Sequence, residues 1–404
     1  MKRKDWLIII IVACGAFLIT FISTNMLLSK EKKEEEKVIE NTSSFNIKFI
    51  KEVNNNTKGN YVISPYSVEM ALSMLRLGAN ENTLKQIDKV LRDREFTLEN
   101  ENVAIANGMF AKNEYKDVIE NDFITALRND YDSDIIFDEF KTPEKINNWV
   151  NEKTNKMIPK VVDNIEDDFV LGLANAIYID AHWKDSFECH STDKGEFGYK
   201  DKENVEMMHN SYEENAKYLK GDVTGIILPY KEDLEFVALM PKKDLNTFID
   251  ELDDKSFNEY LNSFKSVKGK EKVILSIPRF KYEFDLKSFK KILKDLGIND
   301  AFNSEKADFS GIVTKDNLKS LGKENLYVGT AIHKAKIEFM EKGTKAAAVT
   351  YFGLDANAAP VTDYKEINIT FDKPFMYIIR DTKTKEMLFF GTVYNPNKWK
   401  GSTC

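Results

Sequence analysis

The sequence predicts an α+β fold in one large domain. Three observations carry this expectation: short apolar stretches of strand length alternate with amphipathic helical stretches, the C-terminal fifth is dominated by strand-like segments, and no Pro/Gly/Ser-rich linker or repeat divides residues 44–397. Tyr61-Val62-Ile63 reads as a strand running directly into a helix, with Ser64 as candidate cap and Pro65 in the first turn. Val68, Ala71, Leu72 and Leu75 then recur at helical spacing until Gly78 stops the pattern. Further helical patterns run from Phe123 to Tyr131, Thr142 to Met157 and Leu286 to Leu296. Strand patterns run from Ala174 to Ile179, Val205 to Met208, Ile226 to Leu228, Phe236 to Met240 and Val273 to Ile277. Near the end, Ile367, Ile369 and Phe371 alternate, and two apolar runs, Phe375 to Ile379 and Met387 to Val393, flank a polar turn, which predicts a buried hairpin.

Composition narrows the function. With 42% hydrophobic residues over 404 positions, disorder along most of the chain is excluded. The balance of 58 Lys+Arg against 66 Asp+Glu gives a net charge of -8, so no global positive field exists to hold a nucleic acid, and none is expected as partner. Three cysteines, Cys14, Cys189 and Cys404, are too few for a disulfide framework or a four-thiolate zinc site.

The N-terminus directs the rest of the chain across a membrane. Residues 1–5 carry Lys2, Arg3 and Lys4, and residues 6–28 contain no charge over a length sufficient to span a hydrocarbon core. This segment reads as a retained anchor or a processed signal, with Ile11-Val12-Ala13-Cys14 also resembling a lipoprotein cleavage box. Residues 29–43 then form a charged stalk, 44–397 the folded domain and 398–404 a short tail. The domain is expected outside the cell, anchored at the surface or secreted.

A search for catalytic chemistry yields little. The four histidines fall in no H-E-x-x-H arrangement, and C-x-x-C, G-x-S-x-G and phosphate-loop motifs are missing, so no catalytic residue, metal site or cofactor is nominated. Cys189 beside His190 reads as an ordinary small residue, and His333 among apolar neighbours as a hydrogen-bonded structural histidine. The unusual segment runs from Glu341 to Tyr364: a stretch of small and flexible residues between two β-type segments, long enough to imply a functional surface loop. As a latent strand it would place Thr344, Ala346, Ala348 and Thr350 on one face, and Lys345, Ala347 and Val349 on the other.

Here the sequence resembles the serpins over nearly all of the chain after the stalk. The resemblance rests on an ordered set of motifs. Asn60 to Ser67 (NYVISPYS), with Leu77-Gly78-Ala79 and Thr83, looks like the family's N-terminal signature, and Asn175-Ala176-Ile177-Tyr178 with Trp183 and Phe187 like its central strand. Met207-Met208, Leu228-Pro229-Tyr230, Met240-Pro241, Ile277-Pro278-Arg279-Phe280 and Leu296-Gly297-Ile298 follow in the family's order. His333-Lys334-Ala335 leads to Glu338 and the hinge, and Phe371, Lys373-Pro374-Phe375, Leu388 to Gly391 and Asn395-Pro396 complete the set.

The resemblance implies a monomeric suicide inhibitor, not an enzyme. A target protease attacks the loop and forms a covalent acyl-enzyme, after which the freed loop inserts into the central sheet and carries the protease about 50 Å, from fifteen residues at roughly 3.3 Å each. Glu341, Gly343, Thr344, Ala346, Ala347 and Ala348 match the hinge, while Ser64, Ser67, Asn175 and His333 match the polar cluster where the sheet parts, and Trp183 marks the top of that opening. Lys342 and Lys345 stand where many inhibitory members carry acids. Family counting places the scissile bond near Asn357-Ala358, with Leu354, Ala356, Ala358 and Ala359 as rivals, because the distal stretch to Phe371 is longer than in familiar members. Small side chains suit an elastase-like or subtilisin-like enzyme, and Asn357 an asparagine-specific cysteine protease. The alternative from a different class is a non-inhibitory binding or chaperone-like protein of the same fold.

Overall fold

A computed structural model describes residues 45–91, 96, 98, 100, 102–166, 169–344 and 364–401. The expected anchor, the stalk, Ala346 to Ala348, the Asn357-Ala358 bond and Cys404 lie outside the described residues. Among those described, no helix is long and apolar enough to cross a membrane.

The Tyr61–Ile63 strand enters the Pro65–Leu77 helix as its local signals require. Ser64 accepts a hydrogen bond from the Ser67 amide at 3.1 Å, and Pro65 occupies the first turn where its missing N–H costs nothing. The helix expected to extend to Met157 covers only Glu144–Lys153, because Asn155 and Lys156 take left-handed backbone conformations that break the repeat. Likewise the expected Leu286 to Leu296 helix is confined to Phe289–Asp295, with Gly297 at φ 112° closing it.

Four sheets organise the described residues. A seven-stranded sheet runs in the order Tyr61–Ile63, Met387–Val393, Phe375–Asp381, Leu234–Pro241, Val223–Pro229, Lys217–Leu219 and Lys265–Ser266, and includes the expected C-terminal hairpin. A four-stranded sheet runs Lys365–Thr370, Glu271–Pro278, Glu203–Tyr212 and Thr192–Phe197. The remaining two face each other as halves of one broken sheet. One half is Ser133–Asp138, Val103–Lys112 and Leu171–Ile179; the other is Phe280–Asp285, Lys334–Met340, Gly343–Thr344 and Ala181–His182. They share a chain, since Leu171–Ile179 continues through Asp180 into Ala181–His182.

Alternation along Leu171–Ile179 places this seam between two cores. Ile177 and Ile179 join the aromatic layer of Phe236, Phe280, Phe339 and Tyr377, whereas Ala176 and Tyr178 face Phe110, Trp149 and Val150 under the Glu144–Lys153 helix. The Val103–Lys112 strand, which no periodicity announced, tolerates Gly108 because an aromatic ring fills its place: a Cβ there would lie 2.9 Å from Trp149 Cζ2.

Candidate functional site

The seam is closed at its top by two residues. Gly343 pairs with Met340 on one side and His182 on the other, and Thr344 with Phe339 and Ala181, antiparallel to both neighbours. Glu341 and Lys342 form the tight turn that reverses the chain from Lys334–Met340 into this short strand. Below it, Leu171–Ile179 and Lys334–Met340 have no strand between them among the described residues. A small cleft of about 20 Å³, room for a single water, lies there, lined by Ile177, Tyr178, Ile179, Ile337, Thr344 and Phe389, with Met157 and Ile158 covering it from the helical side.

Each hinge residue is held by a distinct interaction. Gly343 has φ 152°, and a Cβ would meet the Ala181 carbonyl oxygen at 2.0 Å, so only glycine permits this approach. The Thr344 hydroxyl is buried and shares a hydrogen bond with the Tyr230 hydroxyl, whose burial pushes the phenol pKa well up. Tyr230 stacks on Trp183 with ring centroids 4.2 Å apart. Trp183 locks the turn from beneath: its indole N–H donates to Met340 O at 2.8 Å and its amide to Lys342 O at 3.0 Å. The Lys342 side chain is exposed, so the cation departing from the family pattern sits in solvent while its backbone is already bonded into the structure.

Glu341 anchors the turn in a buried charge network. Its carboxylate accepts from Arg279 Nη1 at 2.9 Å and from the Thr192 hydroxyl at 2.9 Å, and Arg279 Nε donates to Glu206 at 2.6 Å. Burial disfavours the Arg279 charge, but the two carboxylates outweigh it and raise its pKa above the ordinary guanidinium value. Sequence reasoning identified Glu341 but gave no role to Arg279, Glu206, Thr192 or Tyr230, although Arg279 and Tyr230 fall within quoted motifs.

The second cluster gathers around the start of the Pro65–Leu77 helix. The Ser64 amide donates to His333 Nε2 at 3.1 Å, which requires the neutral ring with its proton on Nδ1. Ser67 Oγ donates to Asn175 Oδ1, and Asn175 Nδ2 donates to Asn107 Oδ1 at 2.8 Å. Asn107 in turn donates to Tyr131 O at 2.7 Å. The four predicted residues therefore meet at one helix N-terminus, joined by the unpredicted Asn107, and Trp183 forms a separate cluster at the top. Cys189 is disulfide-bonded, which corrects its reading as an ordinary small residue.

The family model described as Serpin (serine protease inhibitor) matches residues 40–396. This chain belongs to the serpin family. Among curated serpins, human leukocyte elastase inhibitor is 28% identical over 401 residues, covering 89% of this chain and all of the relative. The thermophilic serpin tengpin in its native state is 32% identical, covers 89% of this chain and 94% of its own, and superposes with a TM-score of 0.75. Tengpin in its latent state is 31% identical, covers 90% and 98% respectively, and gives 0.72. Relatives of this kind are protease inhibitors, and the α+β fold expected from sequence is the serpin fold.

Two outcomes test the site. Burial lowers the His333 pKa from 6.5 to about 4, with Asp285 opposing, so its contribution is fully present above about pH 6.5 and declines as pH falls toward 4. Between pH 7 and 5 the wild-type chain should lose about 2 kcal/mol more stability than His333→Gln, read from denaturant midpoints; parallel pH profiles would refute the assignment. Arg279→Met leaves Glu206 and Glu341 buried without their cation and should cost about 3 kcal/mol, and an unshifted midpoint would show that the network contributes nothing net.

Proposed function

We propose that this serpin is an irreversible suicide-substrate inhibitor of an extracellular serine endopeptidase, or of a cysteine endopeptidase that accepts the same loop, displayed at the cell surface or secreted. The observation that carries this reading is the Gly343–Thr344 strand, seated between the two halves of the broken sheet with an open cleft beneath it. A protease attacks the loop carbonyl, and the acyl bond forms as the C-terminal side of the loop leaves as an amine. The released N-terminal side then extends the short strand downward.

The pairing of Gly343 and Thr344 supports a definite register for the inserting strand. Carried down the same pairing, Ala346 would face Ile179 and Ile337, Ala348 would face Ile177 and Ala335, and Thr350 would lie between Asn175 and His333. Ile179, Ile337, Ile177 and Ala335 all point into the aromatic layer, so the incoming side chains on that face must be small, as they are. Thr350 would bring a hydroxyl to the polar cluster, where a donor and acceptor can be satisfied. Insertion gives both unpaired strand edges a partner, and this supplies the driving force. Lys345, on the opposite face in this alternation, would point to solvent.

The decisive experiment incubates the full-length chain with elastase-like, subtilisin-like and asparagine-specific proteases, followed by denaturing gels and mass spectrometry of the released C-terminal peptide. The expected result is a denaturant-resistant covalent band with one enzyme class and a peptide mass identifying the scissile bond near Asn357-Ala358. Cleavage of the loop by all of them without any such band would refute the inhibitory reading. Thr344→Arg should abolish the band while leaving cleavage intact, because a guanidinium cannot replace the buried hydroxyl beside Tyr230.

A further inference from the structure

Where the loop rejoins the body, the surface is basic despite the net charge of -8 on the whole chain. Lys365 opens the strand after the loop, and its amide donates to Lys270 O at 2.7 Å. Lys268 and Lys270 flank Gly269, which takes the left-handed conformation at φ 62° and turns the chain so that the Glu271 amide bonds Lys268 O. One strand further, Lys265 pairs with Tyr218, and Ser266 with Lys217. Lys217, Lys265, Lys268 and Lys270 are all exposed, and none makes an ion pair among the described residues. The nearby acids are largely occupied: Glu271 holds Lys365 at 3.1 Å, and Glu213 holds Lys272 at 3.1 Å and accepts from Tyr364 at 2.7 Å. Glu214 and Glu366 are exposed acids here without an ion pair among the described residues, so the lysines outnumber the acids left free to oppose them.

We propose that Lys217, Lys265, Lys268 and Lys270 form an auxiliary docking surface that steers a protease bearing carboxylates beside its substrate cleft onto the loop. This rests on the inhibitory reading above, since a protease engaged on the loop must lie against the body where the loop returns. The lysines are fixed to that point by the Lys270–Lys365 backbone bond, so attraction between them and an acidic rim orients the encounter before any loop contact forms. Their effect is on association rate and falls with ionic strength.

The test uses untreated subtilisin and subtilisin succinylated on its surface lysines as probes, each normalised to its rate on a small peptide substrate. With the full-length chain at low salt, loop cleavage by the succinylated enzyme should be about tenfold faster than by the untreated one. This preference should shrink at high salt and vanish in the K265E/K268E/K270E chain. The cleavage rate reads the docking surface whether or not the enzyme is trapped, whereas the denaturant-resistant band separately reads the inhibitory mechanism. An equal preference in wild type and triple variant overturns the proposal. So does a wild-type chain indifferent to succinylation but accelerated by dextran sulfate, which would assign the lysines to a polyanion.

Discussion

The structure is organised around a seam between two strands that do not meet. Leu171–Ile179 pairs on one edge with Val103–Lys112, Lys334–Met340 pairs on one edge with Phe280–Asp285, and among the described residues the facing edges are joined only at their upper ends by two residues. A sheet edge carries a row of donors and acceptors that seek a partner. Two such edges with apolar side chains beneath and a cleft between them represent pairing and packing not yet made. Under the proposed loop insertion, the native state is held by a barrier, and its stability is a matter of rate as much as of equilibrium.

The elements around the seam all bear on that barrier. At the top, the Trp183–Tyr230 stack and the Glu341–Arg279–Glu206 network hold the hairpin turn in one place. At the level of the Pro65–Leu77 helix, the Ser64–His333 and Ser67–Asn175–Asn107 chains hold both strands to the same helix N-terminus, so the strands cannot part without exchanging hydrogen bonds. On the outer side, Met157 and Ile158 close the cleft beyond the Glu144–Lys153 helix. Each is a local interaction of modest strength; on the proposed insertion, together they would set how readily a new strand gains access.

What the sequence made legible was what local chemistry encodes. The Pro65–Leu77 helix announced itself through its cap, its proline and its apolar spacing, and the C-terminal hairpin through two apolar runs about a polar turn. The Val103–Lys112 strand did not, because Asn107 and Gly108 interrupt its pattern and are explained only by Asn175 and Trp149, which approach from distant parts of the chain. The hinge and polar-cluster residues were found through ordered motifs, not through any pattern of charge or periodicity. The role of Arg279 was not legible for the same physical reason as that of Asn107: its partner Glu341 lies 62 positions away, and nothing near either residue in sequence signals the pair.

The buried network at the turn also gives the seam a direction. Glu341 is fastened through both its carboxylate and its carbonyl, the latter accepting from the Phe187 amide at 2.9 Å, so the upper end of the incoming strand is a fixed origin. A strand that grows from a fixed origin cannot shift register as it advances, and a slip of one residue would turn Lys345 toward the aromatic layer. On the proposed insertion, the anchor acts as an index mark: it would determine which side chains arrive at each level, bringing small residues to the isoleucines and a hydroxyl to the polar cluster. In that proposal, sequence length between anchor and scissile bond becomes a measure of distance travelled along the molecule.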